Sequence, residues 1–376
     1  MPSKFRSRPP KEVVCPHCLE SFPLWDMEFG ELGVQPIPAR RSLVDVFMRR
    51  PPRWAVKDGV KLRLKYCPNH DCVEPRLPYT AGEQSDLIVG IVGAKYSGKS
   101  HFVALLVHRL QRNVSTTFDS ALIPLDNRTV TRYDREFKST LIDGKQELDQ
   151  TDPHAPPLLY DMSFAQSNDP KKSLHSVTLA LCDTAGENVN TQEGVAEMGR
   201  YLQYAAGLVI LIDPLQAAPV RENLPKDAAK LPDLDQMAEP SAILARIIQE
   251  WRIKKSIPAG TRIDTPVAVA FTKADVLQSA GLIVKDCLWS QDRFHEGHYD
   301  LQLHSDASEM FGSKLKEWSP AAWTAVTTHF ERFAFFGLSA TGCSSDADGN
   351  YSRVSPWRVE DPMLWLLYEL GVIAGR

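Results

Sequence analysis

The stretch Gly93-Ala94-Lys95-Tyr96-Ser97-Gly98-Lys99-Ser100 has the residue types and spacing of a phosphate-binding P-loop. Glycines at both ends free the backbone to curl, so that successive N–H groups and a helix N-terminus converge on anionic oxygens. Lys99 is placed to reach the outer phosphates of a polyphosphate, and the Ser100 hydroxyl to ligate Mg²⁺. Lys95, Tyr96, Ser97 and His101 complete the loop and its exit. A second chemistry lies upstream. Cys15-Pro-His-Cys18 and Cys67-Pro-Asn-His-Asp-Cys72 are tight turns whose thiolates can converge on one ion, and two such turns complete a tetrahedral Zn²⁺ site. His17 and His70 sit inside the turns as alternative ligands, but four sulfurs give both turns the same logic. With no ligand position left open, such a zinc is structural.

These residues need a sheet to hold them. Leu87 to Val92 is a short apolar run that reads as a buried strand, and HFVALLVHRL after the loop has the apolar spacing of a helix packed on that sheet. A polar stretch with helical spacing at Val130, Tyr133, Phe137, Leu141 and Leu148 follows, ending in the proline-broken QTDPHAPP. PLLYDMSF and SVTLALCD read as two strands joined by a polar turn, the second running into Asp183-Thr184-Ala185-Gly186. An acidic residue at the tip of a strand beside a P-loop is where Mg²⁺ needs its second partner, and Gly186 lets a backbone N–H approach the terminal phosphate. GLVILIDP is the next strand, Ser241 to Lys255 an amphipathic helix, and PVAVAFTKAD a further buried strand. The closing DPMLWLLYELGVI reads as a helix lying on the sheet. Strands alternating with helices predict an α/β fold with a mostly parallel central sheet.

Thr272-Lys273-Ala274-Asp275 at a strand tip, followed by Ser339-Ala340-Thr341 in FAFFGLSATG, makes the chain resemble a Ras-like (TRAFAC-class) P-loop GTPase. The resemblance covers about Gly82 to Arg376 and implies GTP or GDP as ligand with Mg²⁺ as cofactor. It assigns Asp275 to the guanine N1–H and N2–H₂ groups, the Lys273 stem to the base plane, and the Ser339-Ala340 backbone to O6. Glu187 occupies the place of the family's water-orienting glutamine, and its charge beside a γ-phosphate is unfavourable. Lys95 and Tyr96 stand where Ras-type switches have two small residues, so hydrolysis is expected to be slow without a partner. Thr151 is the expected switch threonine; Arg128 and Arg132 read as surface residues of a helix. An ATPase is disfavoured by the TKAD motif. The zinc leader joined to such a core resembles, by architecture, the bacterial double-GTPase proteins of conflict and defence operons. That likeness implies a protein partner, a second GTPase or an effector. A non-enzymatic adaptor, holding guanine nucleotide as a structural ligand, is the rival reading.

With 376 residues the chain can form a small module over 1–81, zinc-ribbon-like, and a larger one over 82–376. The 48 residues between the cysteine turns exceed a compact ribbon, so Leu24 to Arg53 is expected to be inserted; further inserts are expected near 217–239 and 276–328. A net charge of −4 gives no reason to expect a protein that coats nucleic acid, although the leader is locally basic. No apolar run approaches the roughly 18 residues of a membrane span. Seven cysteines, two close pairs and three singles, suit a reducing compartment, so a cytoplasmic protein is expected. Cys182 is expected in the core, His295, His298 and His304 in solvent, and Ser344 to Asn350 in a flexible turn that lacks the glutamate of a calcium loop.

Overall fold

The computed structural model describes residues 12–39, 53–149, 155–164, 175–183, 202–225, 239–283, 294–295 and 297–376. Strand β1 (Ser85–Gly93) is the axis of the larger part, with Ile88, Val89, Ile91 and Val92 all buried. The other strands are β2 (Ser120–Pro124), β3 (Leu158–Phe164), β4 (His175–Asp183), β5 (Gly207–Ile212), β6 (Val267–Phe271) and β7 (Phe333–Gly337). They form one seven-stranded sheet in the order β7-β6-β5-β1-β4-β3-β2. β1 pairs in parallel with both β4 and β5, and β5, β6 and β7 continue in parallel. β3 is antiparallel to β4 and to β2. From β1 the chain therefore passes to the edge strand β2, returns inward through β3 and β4, and then crosses to the other side of β1, which opens a crevice at the carboxyl end of β1.

Helices cover both faces. Phe102, Leu105 and Leu106 of α1 (Lys99–Arg109) share one core with Val89 and Ile91. The opposite face packs Ile243, Leu244, Ile247 and Trp251 of α3 (Pro240–Lys254) with Val92, Ile210 and Val269. Between them in the chain, α2 (Asn127–Arg132) starts on a side-chain cap, Asp126 accepting from Thr129 N, and runs into a π-helical Tyr133–Asp143. After α4 (Ala274–Ser279) come α5 (Leu301–Trp318) and α6 (Pro320–His329), and α7 (Asp361–Glu369) lies on the sheet as the closing apolar run requires.

Several expectations need correction. Ser120–Pro124 is an edge strand that has no counterpart in the sequence reading. Leu148 lies beyond the helical segment that Phe137 and Leu141 anchor. Within the segment 276–328, Ala307, Phe311 and Leu315 of α5 and Ala322 and Val326 of α6 pack in the second core. His304 is half-buried rather than free in solvent: its ring stacks on Trp365 and its Nδ1 lies 3.1 Å from the Tyr299 hydroxyl. Arg132 is buried, with Nε donating to Glu136 Oε2 at 3.0 Å. Asp346 Oδ1 accepts from the Asp348 and Asn350 N–H groups, and Glu147 N donates to Gly349 O, so the turn after the last sequence motif is pinned.

The N-terminal module is a set of short strands around a small core of Val13, Phe22, Leu24, Met27, Phe29 and Leu62. The stretch expected as an insert contributes to it directly. Glu28–Glu31 is the middle strand of three, paired with Val34–Pro38 and Leu64–Tyr66. Two contacts fasten this module to the sheet. Leu19, just past the first cysteine turn, packs with Val14 on Ile88, Leu159, Ala180 and Cys182, a face that a helix would otherwise cover. Beyond the second turn, Tyr79 Oη donates to Asp161 Oδ2 at 2.6 Å, and Gln84 Nε2 donates to Asp161 Oδ1 at 3.1 Å and Thr178 Oγ1 at 3.2 Å. These bonds satisfy polar groups of β3 and β4 that would be costly to bury alone.

Candidate nucleotide and metal sites

At the tip of β1 the chain makes the tight loop that its glycines permit. Gly98 caps α1 in the left-handed region, at φ 78° and ψ 26°, where a β-carbon would be strained. A side chain on Gly93 would collide with Ser97 Oγ and with the Leu211 carbonyl on β5. Lys99 is buried and folds back across the loop, with Nζ donating to the carbonyls of Gly93 and Ala94 at 3.0 Å each. Ser97 Oγ is buried and, among the described residues, has no hydrogen-bond partner. A cradle of helix N-terminal N–H groups, one ammonium and an unsatisfied hydroxyl fits a polyphosphate. At the mouth, Tyr96 holds φ 66° with its ring exposed, and the Lys95 ammonium lies 5.2 Å from the ring centroid. Gln216 Nε2 donates to the Lys95 carbonyl at 3.0 Å, which ties the loop to the segment after β5.

The Thr272–Asp275 and Ser339–Thr341 motifs stand at the tips of the parallel strands β6 and β7. Thr272 N donates to Ile212 O at 2.9 Å, and Ala274 N donates to Leu338 O at 3.0 Å, so the loops after β5, β6 and β7 are laced together. Ser339 is buried, exchanges backbone bonds with Trp357, and its Oγ accepts from Gly342 N at 2.9 Å. Thr341 Oγ1 donates to Cys343 O at 2.7 Å, closing the turn that carries Ala340. Lys273 caps α4 at φ 54°, and its Nζ donates to Asp213 Oδ2 at 2.7 Å. Asp213 follows β5, has a carboxylate wholly shielded from solvent, and also accepts from Leu215 N at 3.0 Å. The sequence reading missed it; an acid directly after an apolar strand was the available signal. Asp275 lies in the first turn of α4.

His101 connects the two halves. Its Nε2 lies 3.2 Å from the hydroxyl of Tyr351, whose backbone N donates to Lys145 O. Burial pushes the His101 imidazole down to about 4, so the ring is neutral at physiological pH, and burial raises the Tyr351 hydroxyl. β4 ends at Asp183, which pairs with Ile91 two residues before Gly93. Thr151, Gly186 and Glu187 lie outside the described residues.

In the N-terminal module, Cys15, Cys18, Cys67 and Cys72 place their sulfurs within 4.8 Å of one another. Cys15 and Cys72 lie 3.8 Å apart, as do Cys18 and Cys67. A tetrahedron with Zn–S bonds of about 2.3 Å has edges of about 3.8 Å, so the spacing fits that ion. Backbone turns set it: Leu19 N donates to Cys15 O at 2.9 Å and Cys72 N to Asn69 O at 3.1 Å. Contact with Cys67 and burial raise the Cys15 thiol, and burial pushes Cys72 up to about 12. A divalent cation among them would invert that preference and hold them as thiolates.

The strand order and the loops at its carboxyl edge define a P-loop GTPase of the TRAFAC type, carrying a separate four-cysteine module. The chain belongs to the Double-GTPase 2 family (DO-GTPase2), which it matches over residues 87–324. It is also similar to SaeC of Mycolicibacterium smegmatis, named as an ESX-1 scaffolding and assembly protein. The two are 23% identical over 327 residues, spanning 79% of this chain and 78% of SaeC. Among solved structures it resembles the signal recognition particle receptor SRb-GTP/SRX complex from Chaetomium thermophilum. There the identity is 11%, the coverage 77% of this chain and 99% of that one, and the TM-score 0.31. The GTP-bound Ski7 GTPase-like domain of S. cerevisiae is 12% identical, with 76% of this chain and 50% of that chain covered and a TM-score of 0.29. Among the described residues no helix is long and apolar enough to cross a membrane.

Proposed function

We propose that this GTPase binds GTP and GDP in the crevice above β1, β5, β6 and β7 and works as a switch read by a protein partner. The carrying observation is the meeting of two distant motifs: the Lys99 loop after β1 and the Asp275 and Ser339 loops after β6 and β7 lie at the same carboxyl edge of the sheet, with His101 beside Tyr351. In this reading Lys99 and the N–H groups of residues 95–101 bind phosphates, while Ser100 and Asp183 hold Mg²⁺, which supplies charge neutralisation on the phosphates. Asp275 accepts from the guanine edge, Lys273 covers its face, and the Thr272, Ser339, Ala340 and Thr341 backbone frames it. Gly186, Glu187 and Thr151 are assigned to the γ-phosphate side, with Thr151 closing on Mg²⁺ and Glu187 orienting water. The four cysteines hold Zn²⁺ structurally.

Two measurements test the assignment. Lys99→Ala should abolish binding of labelled GDP; unchanged affinity would refute the phosphate site. Asp275→Asn should move preference from guanosine to xanthosine nucleotides, because an amide offers a donor where the carboxylate accepts. A site that pairs such groups discriminates by roughly 10⁴-fold.

The long Lys95 and Tyr96 side chains at the loop mouth favour a second reading, an adaptor that keeps its nucleotide. Multiple-turnover phosphate release with Mg²⁺ separates the two. The family resemblance to conflict-system proteins and the scaffolding role in the name of SaeC both fit action through a protein assembly.

A further inference from the structure

The N-terminal module carries an exposed surface that neither the zinc site nor the nucleotide site uses. Ala55–Lys57 pairs antiparallel with Val60–Leu62, and the opposed residues Ala55 and Leu62 are buried. Strand alternation then puts Trp54, Val56, Lys61 and Arg63 together on the other face. Trp54 is 47% and Val56 50% exposed, although apolar side chains of this size are ordinarily covered. The Lys61 ammonium lies 5.0 Å from the Trp54 ring centroid. Arg53 and Lys57 flank them, so residues 53–63 hold four cations against one carboxylate, Asp58, in a chain whose net charge is −4. The local charge is thus opposite to that of the whole.

We propose that this hairpin face binds single-stranded nucleic acid, with a base stacked on Trp54 and phosphates on Lys61 and Arg63, supported by Arg53 and Lys57. The chemistry selects this occupant. A protein partner would need about 800 Å² per side for a stable contact, far more than one indole and one valine offer. A single strand needs only a flat apolar face and nearby cations, and stacking serves any base. A duplex hides its base faces and would leave Trp54 unused. Ala55 and Leu62 carry the inward packing, and among the described residues Trp54 lies outside the module's core. The proposal does not depend on the nucleotide assignment.

The test uses the full-length, zinc-loaded protein and fluorescein-labelled 12-mers of dT and rU, read by anisotropy at several salt concentrations. With three to four phosphates neutralised, log K should fall against log salt with a slope of about −2 to −3, at roughly −0.7 per contact. Lys61→Ala should reduce that slope by about 0.7. Trp54→Ala should weaken binding about tenfold with the slope unchanged, and Trp54→Phe should restore most of it. Zinc content checks that each variant is folded, and Lys99→Ala should bind the oligomers as the parent does. Absence of binding overturns the proposal. So does equal affinity for polyglutamate, a preference for duplex, or a folded Trp54→Ala protein that binds the oligomers as the parent does.

Discussion

Replacing Asp213 by asparagine keeps the shape of the side chain and removes the charge that anchors Lys273. The pair sits at 2.7 Å, with the carboxylate sealed from solvent and the lysine side chain 32% exposed. At an effective dielectric near 20 the attraction is at most about 6 kcal/mol. Desolvation of the carboxylate offsets most of it, leaving a net stability loss of about 1–2 kcal/mol. The amide can still accept from Leu215 N, so Asp213→Ala should cost about 1 kcal/mol more for the orphaned donor. The consequence for binding is separate. A lysine no longer tethered has to be ordered by the ligand, at about 1 kcal/mol, which weakens guanine-nucleotide binding about fivefold. With Lys273 on the base, as proposed, GDP and GTP should lose the same factor. Fluorescent-nucleotide titration and urea unfolding measure both effects. Unchanged affinity in a folded Asp213→Asn protein, or a loss confined to GTP, would falsify this account of the tether.

Other outcomes are equally definite. Cys15→Ser should lower zinc content from about one per chain and destabilise the N-terminal module, checked by metal analysis and limited proteolysis; a folded, metal-free module would contradict the zinc assignment. Leu19→Ala removes a buried side chain from Ile88, Leu159, Ala180 and Cys182 and should cost about 2–4 kcal/mol in urea unfolding, although it touches neither metal nor nucleotide. His101 has a folded-state value near 4, below the ordinary 6.5, so the unfolded chain takes up the proton first. Its contribution to stability is complete above pH 6.5 and lost as pH falls toward 4. Unfolding midpoints between pH 7 and 4.5 should therefore drop more steeply in the parent than in His101→Gln, and parallel slopes would count against it.

The parts of the site legible in the sequence are those whose signal is local. Eight consecutive residues specify the phosphate loop, and the runs that become β1, β5 and β6 are apolar throughout because both faces are covered. The Asp213–Lys273 tie was illegible, since nothing in 60 residues of separation marks two groups as partners until β5 and β6 lie side by side. Edge strand β2 was missed because it is short and Ile123 is half exposed, which blurs the alternation. The strands within Leu24–Pro38 were hidden by Pro36 and Pro38, residues that read as loop yet are tolerated at the outer strand Val34–Pro38. His304 looked solvated on composition; only the fold brings Trp365 and Tyr299 around it.

The seat of Leu19 on the sheet has a consequence for synthesis. All four cysteines leave the ribosome before β1 is made, so the module can capture its ion early. The strands that must receive Leu19 follow much later, with Leu159 and Ala180 more than 75 residues beyond the last cysteine. During that interval the module, metal-loaded if the cysteines take zinc as proposed, shows Leu19 with only Ile88 of its seat yet made. Cells that supply zinc but stall translation in the middle of this message would accumulate fragments predisposed to stick, and a helper that shields nascent chains would matter most for that stretch.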